Sequence, residues 1–307
     1  MQLNDQSYLD LEEEFCQYET ARIVILPFPY EGGISSGGGT AEAPAAVIEA
    51  SAQLEFYDEV LKFEPFRVGI ATLAPPDLSG MSPERMFDTI YAISRRVLAD
   101  GKFLVVVGGD HSISSGYCQA LFERYPTLSV VQLDAHSDLR DSYLGSKLSH
   151  ASVMARVREM TRHTLQVGMR AISLEEAQEI ERQQIPVFTM TDYRQDPQAA
   201  IAVLDALPDP VFITLDVDAF DWSVIWSTGT PEPGGFTWDE MMDFLTTVFR
   251  HKKVVGFDVV ELSAAPFDRN SPHAVAKLIY RMIGLLLHHR PSALDLIDPC
   301  LFPHQPA

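Results

Sequence analysis

Three potential metal ligands stand at two-residue spacing directly after an apolar run of the chain. The segment VVQLDAHSDLR ends such a run with Asp134, His136 and Asp138. Carboxylates and an imidazole without a thiolate favour manganese, and zinc, nickel, cobalt or iron are also compatible. A fully extended strand would hold Asp134 and Asp138 roughly 13 Å apart, whereas metal–ligand bonds are about 2.0–2.2 Å long. The spacing therefore predicts that the chain curls after Asp134 and folds the later ligands back over the strand end.

Two other apolar runs end in groups of the same kind. VVVGGDH ends at His111, and ITLDVDAFD contains Asp216 and Asp218. Each aspartate alone would be read as a helix N-cap or a turn residue. If the runs meet, however, four carboxylates share a small volume and cannot all stay ionised without compensation. Among basic residues, only Arg140 lies near these motifs. Two divalent cations would neutralise four carboxylates, so two ions fit better than one. Two such ions can also activate a shared water. The candidate ligands are His111, Asp134, His136, Asp138, Asp216 and Asp218.

Strands and helices in alternation must position these residues. Several apolar, β-branched runs are continuously apolar, which is typical of strands buried on both faces. The predicted strands cover residues 22–29, 66–73, 102–109, 128–136, 164–170, 185–190, 211–218 and 254–262.

Helix-start signals lie between the strands. Capping-box spacings and Ser-Pro pairs both mark helix N-termini, and the last long helix is predicted over residues 271–290. The capping boxes are Ser173 with Glu176 and Thr237 with Glu240, and the Ser-Pro pairs are Ser82-Pro83 and Ser271-Pro272.

The alternation predicts one α/β domain over residues 1–307, built on a mostly parallel sheet of about eight strands. In open sheets of this class, ligands bind beyond the carboxyl ends of the strands. Four predicted strands end in residues capable of chemistry: VVVGGDH, VVQLDAHSD, ITLDVDAFD and GFDVVEL. We therefore expect one reactive edge on one sheet.

Composition excludes several classes of protein. The formal net charge of −20, from 23 basic and 43 acidic residues, argues against a nucleic-acid-binding protein. The acidity either attracts a cationic ligand or only maintains solubility. No apolar run approaches the ~20 residues that span a bilayer, and no signal peptide is evident at the start. The three cysteines, Cys16, Cys118 and Cys300, form no metal-binding pair. We expect a cytoplasmic location.

The motifs together resemble those of the ureohydrolase (arginase/agmatinase) family, and specifically its agmatinase branch. The similarity runs over nearly the whole chain, and the ordered trio of GGDHS, DAHSD and LDVDAFD is highly specific. The other matching segments are PYEGGISSGGGTAEAPAAVIEAS, LSHASV, QVGMR, TGTPEPGG and GFDVVEL.

The resemblance implies a three-layer α/β/α fold, a homo-oligomer (a trimer or a hexamer), and hydrolysis of a guanidine to urea and an amine at two manganese ions. It implies that Asp134 and Asp216 bridge the two ions. One ion would be held by His111, Asp134, Asp138 and Asp216, and the other by His136, Asp134, Asp216 and Asp218.

The resemblance also implies three catalytic roles. His150, in LSHASV, would shuttle a proton to the leaving amine; the alternative is a histidine that faces solvent at a helix start. Glu261 would pair with the substrate guanidinium, a role suited to a carboxylate, unless it pairs with a local arginine such as Arg269. Asp138, with the metals, would stabilise the tetrahedral intermediate.

Departures from the family pattern leave the substrate open. The loop DWSVIWSTGTPEPGG carries Trp222 and Trp226, which either shape the mouth of the site or serve packing and oligomer contacts. Agmatine, which would give putrescine and urea, is the first choice, because the Ser-Gly-Asn stretch of arginases is missing. Guanidinobutyrate is an alternative, since Arg140 or Lys147 could meet its carboxylate. A two-metal phosphoesterase fits less well, because phosphate clamps are missing, and a metal-binding pseudoenzyme is the third alternative.

Overall fold

The computed structural model describes residues 1–32 and 38–289. Residues 33–37, within the segment PYEGGISSGGGT, and residues 290–307, which include Cys300, lie outside the described part. Eight strands form a single sheet, and every pairing between them is parallel. They are β1 (Ile23–Phe28), β2 (Ile70–Thr72), β3 (Phe103–Gly108), β4 (Ser129–Leu133), β5 (Thr164–Met169), β6 (Val187–Thr189), β7 (Val211–Asp216) and β8 (Val254–Val260). Each of the eight predicted strands is thereby confirmed, with shorter bounds.

The strand order places the chemically capable strands side by side. The order is β2-β1-β3-β8-β7-β4-β5-β6, because the chain leaves a gap between β3 and β4 that β7 and β8 later fill. The four strands predicted to end in reactive residues, β3, β8, β7 and β4, are therefore adjacent at the centre. Since they are parallel, their carboxyl ends lie along one edge.

Helices cover both faces of the sheet. The helices are α1 (Glu13–Cys16), α2 (Ala43–Ser51), α3 (Pro83–Ala99), α4 (Ile113–Arg124), α5 (Val153–Met160), α6 (Leu174–Gln183), α7 (Met190–Gln195), α8 (Pro197–Ala206), α9 (Trp238–His251) and α10 (Asn270–His289). Short 3₁₀ helices occupy Tyr8–Asp10, Pro65–Val68, His150–Ser152 and Val217–Ala219.

Two separate hydrophobic cores result. In β1, Ile23 and Ile25 pack into a core with α1, α2 and α7–α10, whereas Val24 and Leu26 pack into a core with α3–α6. Successive residues of a strand point to opposite faces, and burying each such side chain contributes about 1.5–3 kcal/mol. The three-layer α/β/α architecture that the resemblance implies is confirmed.

Most predicted helix starts are confirmed and one is wrong. The two capping boxes form as predicted, and the Ser82 side chain caps α3. Ser271, however, lies inside α10, where Asp268 Oδ1 accepts from the backbone N–H groups of Asn270 and Ser271 instead. The Ser271 hydroxyl accepts from the Trp226 N–H at 3.3 Å, so a tertiary contact uses the group that the local pattern assigned to the cap. Among the described helices, none combines the length and apolarity needed to cross a membrane.

Candidate metal centre

Histidine and carboxylate side chains converge beyond the central strand ends. His111 lies between β3 and α4, and Asp216 is the last residue of β7. The His111 ring Nδ1 lies 3.2 Å from Asp134 Oδ2, 3.1 Å from Asp138 Oδ2 and 3.5 Å from Asp216 Oδ2. His111 is almost fully buried, and its Nδ1 has no hydrogen-bond partner among the described residues. A buried imidazole nitrogen that faces three carboxylates within 3.5 Å is placed as a metal ligand would be.

A second cluster lies beside the first and shares Asp134 with it. His136 Nδ1 lies 2.9 Å from Asp218 Oδ2 and 3.6 Å from Asp134 Oδ1. Two groups of ligand atoms, each within 4.8 Å of one another, are therefore present: His111, Asp134 and Asp216, and Asp134, His136 and Asp218. The structure thus brings all six predicted residues together, with Asp138 against His111. The detailed division of ligands between two ions stays a prediction.

The predicted curl after Asp134 is present. Strand β4 ends at Leu133, and Asp138 adopts a left-handed backbone conformation with φ of 51°. Glu261 adopts the same conformation, with φ of 65°. Such a conformation costs a residue other than glycine about 1–3 kcal/mol, and here it occurs at two positions that face the site. Gly168 permits the turn, because a Cβ atom there would meet the Asp134 carbonyl oxygen at 2.7 Å.

The electrostatics of the cluster fit bound cations. Burial raises the pKa of the Asp138 carboxyl to about 7, and the neighbouring Asp134 charge adds to this shift. Burial and the charges of Asp218 and Asp134 also raise the pKa of Asp216 well above its ordinary value. Burial lowers the pKa of His136, but the contacts with Asp134 and Asp218 dominate and raise it to about 12. Two divalent cations would balance these charges with every ligand deprotonated.

Neutral side chains behind the ligands fix their orientation. The Thr214 hydroxyl lies 2.8 Å from His111 Nε2, which leaves Nδ1 directed at the carboxylates. Gln132 donates to Asp134 Oδ2 at 2.7 Å, and Gln166 donates to the Gln132 side-chain oxygen. Partners of this kind set the tautomer and direction of metal ligands. None of these three residues was predicted from the sequence, although Gln132 and Thr214 lie two residues before Asp134 and Asp216 on apolar strands, which is a usable signal.

Glu176 ties the ligand loop to helix α6. Its Oε1 accepts from the Ser137 hydroxyl at 2.8 Å and from the Leu139 N–H at 3.0 Å, on either side of Asp138. Its Oε2 accepts from the Ser173 N–H at 3.0 Å, which completes the capping box. The sequence identified only the capping role. The structure adds a second role, which is to hold the loop that carries His136 and Asp138.

Replacing Glu176 by alanine is expected to lower metal affinity about 10- to 100-fold, because groups that hold metal ligands in place have effects of that size. The matched control is Ser173→Ala, which removes a capping hydroxyl and leaves the contacts of Glu176 with Ser137 and Leu139. Both variants should lose about 1 kcal/mol of stability from the weakened cap. Metal titration by calorimetry separates them, and equal metal affinities would contradict the loop-holding role.

A cavity of about 500 Å³ opens in front of the metal cluster. Four of the candidate metal ligands line it: His111, His136, Asp138 and Asp216. His150 and Glu261 line it as well. The cavity is further lined by Arg140, Tyr143, Ala151, Arg170, Ala171, Ile172, Ser173, Glu176, Thr230 and Glu232. Both residues predicted for substrate chemistry therefore share one space with the metal cluster.

Glu261 and His150 both line this cavity and make different contacts. Glu261 is buried, and its Oε1 accepts from the His111 N–H at 2.7 Å. Arg269, the predicted alternative partner, lines a separate cavity beside α10. Half-buried His150 begins the 3₁₀ helix His150–Ser152, and its ring meets that of Tyr143 edge-on at 5.4 Å. His150 therefore lines the cavity and is partly exposed, and its catalytic role stays a prediction.

The later residues of the loop after Asp221 line the cavity. Trp222 and Trp226 are 47% and 55% exposed, and neither lines the cavity. Thr230 and Glu232, further along, do line it. The prediction that the tryptophans shape the mouth is therefore not supported by their positions, and the role in packing or oligomer contacts stays a prediction.

Arg170 anchors the loops at the cavity mouth. Its guanidinium donates to backbone carbonyl oxygens of Asp218 at 2.6 Å and of Glu232 at 2.8 Å. Other N–H groups reach the carbonyls of Gly168, Ala219, Phe220 and Pro233. This arginine joins the end of β5 to the metal-ligand loop and to the loop that carries Glu232. It was not singled out from the sequence, because its acceptors are distant in the chain.

The fold and the site together define an α/β/α protein with two candidate metal-ligand clusters at the carboxyl ends of the central strands. The chain belongs to the arginase family, whose model matches residues 21–284. It is 38% identical to an N(1)-aminopropylagmatine ureohydrolase of Synechocystis over 89% of this chain and 91% of that protein. It is 30% identical to an agmatinase of Pyrococcus horikoshii, over 90% of this chain and 96% of that protein.

Solved structures give the same relationship. The agmatine ureohydrolase of Thermoplasma volcanium superimposes with a TM-score of 0.83 at 28% identity, covering 90% of this chain and 93% of the other. The predicted membership of the ureohydrolase family, in its agmatinase branch, is confirmed. The chain is a ureohydrolase that cleaves a guanidino compound.

Proposed function

We propose that the substrate is a linear guanidino compound whose far end is an amine, and that N(1)-aminopropylagmatine and agmatine are both cleaved. The observation that carries the proposal is a pair of carboxylates that line the cavity together with the candidate metal ligands: buried Glu261 and half-buried Glu232. A guanidinium suits a carboxylate partner, and a second cationic group suits a second carboxylate. The sequence favours agmatine, and the relative at 38% identity supports the aminopropylated substrate as the better one.

We propose that the two clusters hold divalent ions, with manganese as the physiological metal, because the ligand set is rich in oxygen and contains imidazole without thiolate. His111, Asp134, Asp138 and Asp216 would hold one ion. His136, Asp134, Asp216 and Asp218 would hold the other. When bound, such ions lower the pKa of a water molecule and so supply a nucleophile at neutral pH. We also propose a homo-oligomer, as the family resemblance implies.

Side chains of the protein would position the substrate guanidinium and supply the proton that the leaving nitrogen needs. Glu261 Oε1 already accepts the His111 N–H, which holds the carboxylate in place and leaves Oε2 to pair with the substrate. Burial raises the pKa of Glu261 well above its ordinary value, and an adjacent guanidinium, which stays charged, would favour the ionised form. Asp138 would bond to the nitrogen groups of the tetrahedral carbon as it forms.

His150 would supply the proton that the departing nitrogen needs. The oxygen of water adds to the guanidinium carbon, the bond between that carbon and the alkyl-bearing nitrogen breaks, and this nitrogen takes a proton to leave as an amine. Urea and the amine are the two products; agmatine would give putrescine. His150 lies on the cavity wall with Tyr143 against its ring, a position from which it can reach a bound substrate without displacing a metal ligand.

Alternative substrates are less compatible with the cavity. Lys147, which could have met a substrate carboxylate, is exposed and pairs with Asp141 at 3.1 Å. Arg140 does line the cavity, but it lies 3.9 Å from Glu176 and over the Tyr143 ring. Arg170 is occupied by backbone carbonyls. A phosphoester would therefore meet no free cationic clamp in the described part of the cavity, and an α-amino acid would bring its carboxylate toward acidic walls.

Urea release is expected to favour amine-terminated substrates. We predict kcat/KM values for agmatine and N(1)-aminopropylagmatine at least about tenfold above those for L-arginine and 4-guanidinobutyrate, which corresponds to about 1.4 kcal/mol. Steady-state urea production with manganese-loaded protein measures all four values. A preference for either acid would contradict the proposed substrate and leave the ureohydrolase chemistry unaffected.

A further inference from the structure

Five carboxylates line the cavity, and four of them have partners within the described residues. Glu261 accepts the His111 N–H, and Glu176 accepts from Ser137, Leu139 and Ser173. The five are Asp138, Glu176, Asp216, Glu232 and Glu261. Asp138 and Asp216 approach the His111 ring within 3.5 Å. The fifth, Glu232, makes neither a hydrogen bond nor an ion pair through its carboxylate within that same part of the chain.

The backbone of Glu232 is nevertheless firmly placed. Its carbonyl oxygen accepts from Arg170 at 2.8 Å, and the next residue, Pro233, accepts from the same guanidinium at 3.1 Å. Arg170 also binds the carbonyl of Asp218, next to the metal cluster, at 2.6 Å. A single arginine thus fixes the distance between the reactive floor of the cavity and the Glu232 position. The residue is half-buried, which makes its charge more effective than that of a fully exposed carboxylate.

We propose that Glu232 binds the ammonium group at the far end of the substrate and thereby sets specificity for amine-terminated guanidines. This inference rests on the proposed function and names the residue that enforces it. Glu261 would bind the guanidinium beside the metals, and Glu232 would bind the second cationic group toward the mouth. The spacing between the two carboxylates would then select substrates by the distance between their guanidinium and ammonium groups.

Neighbouring cations do not remove this role. Arg170 interacts electrostatically with Glu232, but its N–H groups donate to backbone carbonyls and its charge also faces Asp218 and Asp134. Arg140, on the other side, lies 3.9 Å from Glu176. A carboxylate with no direct partner in a half-buried wall gains from an incoming ammonium, because charge-assisted hydrogen bonds are the stronger class.

The test is Glu232→Gln in the manganese-loaded full chain, assayed for urea from agmatine, from butylguanidine and from 4-guanidinobutyrate. Butylguanidine has the same carbon chain as agmatine without the ammonium. We expect kcat/KM for agmatine to fall about 10- to 100-fold, mainly through KM, and that for butylguanidine to stay unchanged. Unchanged turnover of butylguanidine also shows that the variant folds and keeps its metals. Glu232→Lys should raise kcat/KM for 4-guanidinobutyrate above that for agmatine.

The matched control is Glu175→Gln, which makes the same charge change at an exposed position that does not line the cavity. Its three kcat/KM values should equal those of the wild type. If wild type prefers agmatine over butylguanidine and Glu232→Gln changes both equally, or neither, the role of Glu232 is overturned and the proposed function stands. If wild type prefers 4-guanidinobutyrate, the proposed function and this inference are both overturned.

Discussion

Asp134→Asn is expected to release both metal ions and to lower urea production by about 10³-fold or more, since the site would lose the means to lower the pKa of its water. Within the described residues, Asp134 belongs to both ligand clusters. Its Oδ2 lies 3.2 Å from His111 Nδ1, and its Oδ1 lies 3.6 Å from His136 Nδ1. Asparagine keeps the size of the side chain and removes the charge, so the two cations would lose a ligand that faces both.

Metal content per chain measures this effect directly. Elemental analysis after dialysis should give two ions per chain for the wild type and far fewer for Asp134→Asn. Asp218→Asn should be milder, because Asp218 belongs to one cluster only. Asp88→Asn, an exposed position on α3, is the matched control and should keep both ions. An Asp134→Asn protein that retains two ions would contradict the shared-ligand arrangement.

His150→Asn is expected to lower kcat by about 10²–10⁴-fold, the range for loss of a general acid or base, with metal content unchanged. His150 lines the cavity but belongs to neither ligand cluster. The contact with the Tyr143 ring, at 5.4 Å, holds the imidazole on the wall. The variant should also lose one limb of the pH–rate profile, which a purely structural role would not remove.

The control for His150 is His163→Asn, at an exposed histidine directly before β5. It carries the same change of side chain outside the cavity, and its kcat should match that of the wild type. A His150→Asn protein with near-normal kcat would place the proton on another donor. A loss of metal in the same variant would instead assign His150 a structural role at the cluster.

The sequence predicts the fold, and the convergence of the candidate ligand residues, for a local reason. A buried parallel strand is recognisable from a few consecutive apolar residues, and a polar residue such as Asp216 directly behind it must lie at the carboxyl edge of the sheet. Where several of these strand ends meet, their carboxylates repel one another, and bound cations relieve that repulsion. The order of the strands, with β8 and β7 between β3 and β4, is not visible in any single segment.

What the sequence does not predict depends on contacts between distant segments. Arg170 binds carbonyls 48 to 63 residues away, and the second role of Glu176 connects it to a loop 37 to 39 residues earlier. Ser271 fails as a helix cap because its hydroxyl accepts a backbone N–H from Trp226. Local patterns compete with tertiary contacts at such positions, and the tertiary contacts prevail.

If two metal ions bound by this chain cleave an amine-terminated guanidino compound to urea, the reaction should depend on the bound metal. The most direct test is the yield of urea and of free amine from N(1)-aminopropylagmatine and agmatine, measured with chelator-treated protein before and after manganese is restored. We predict equal molar amounts of urea and amine, at a rate that rises with manganese and saturates at two ions per chain. Full saturation with two ions and no urea from either compound would contradict the account.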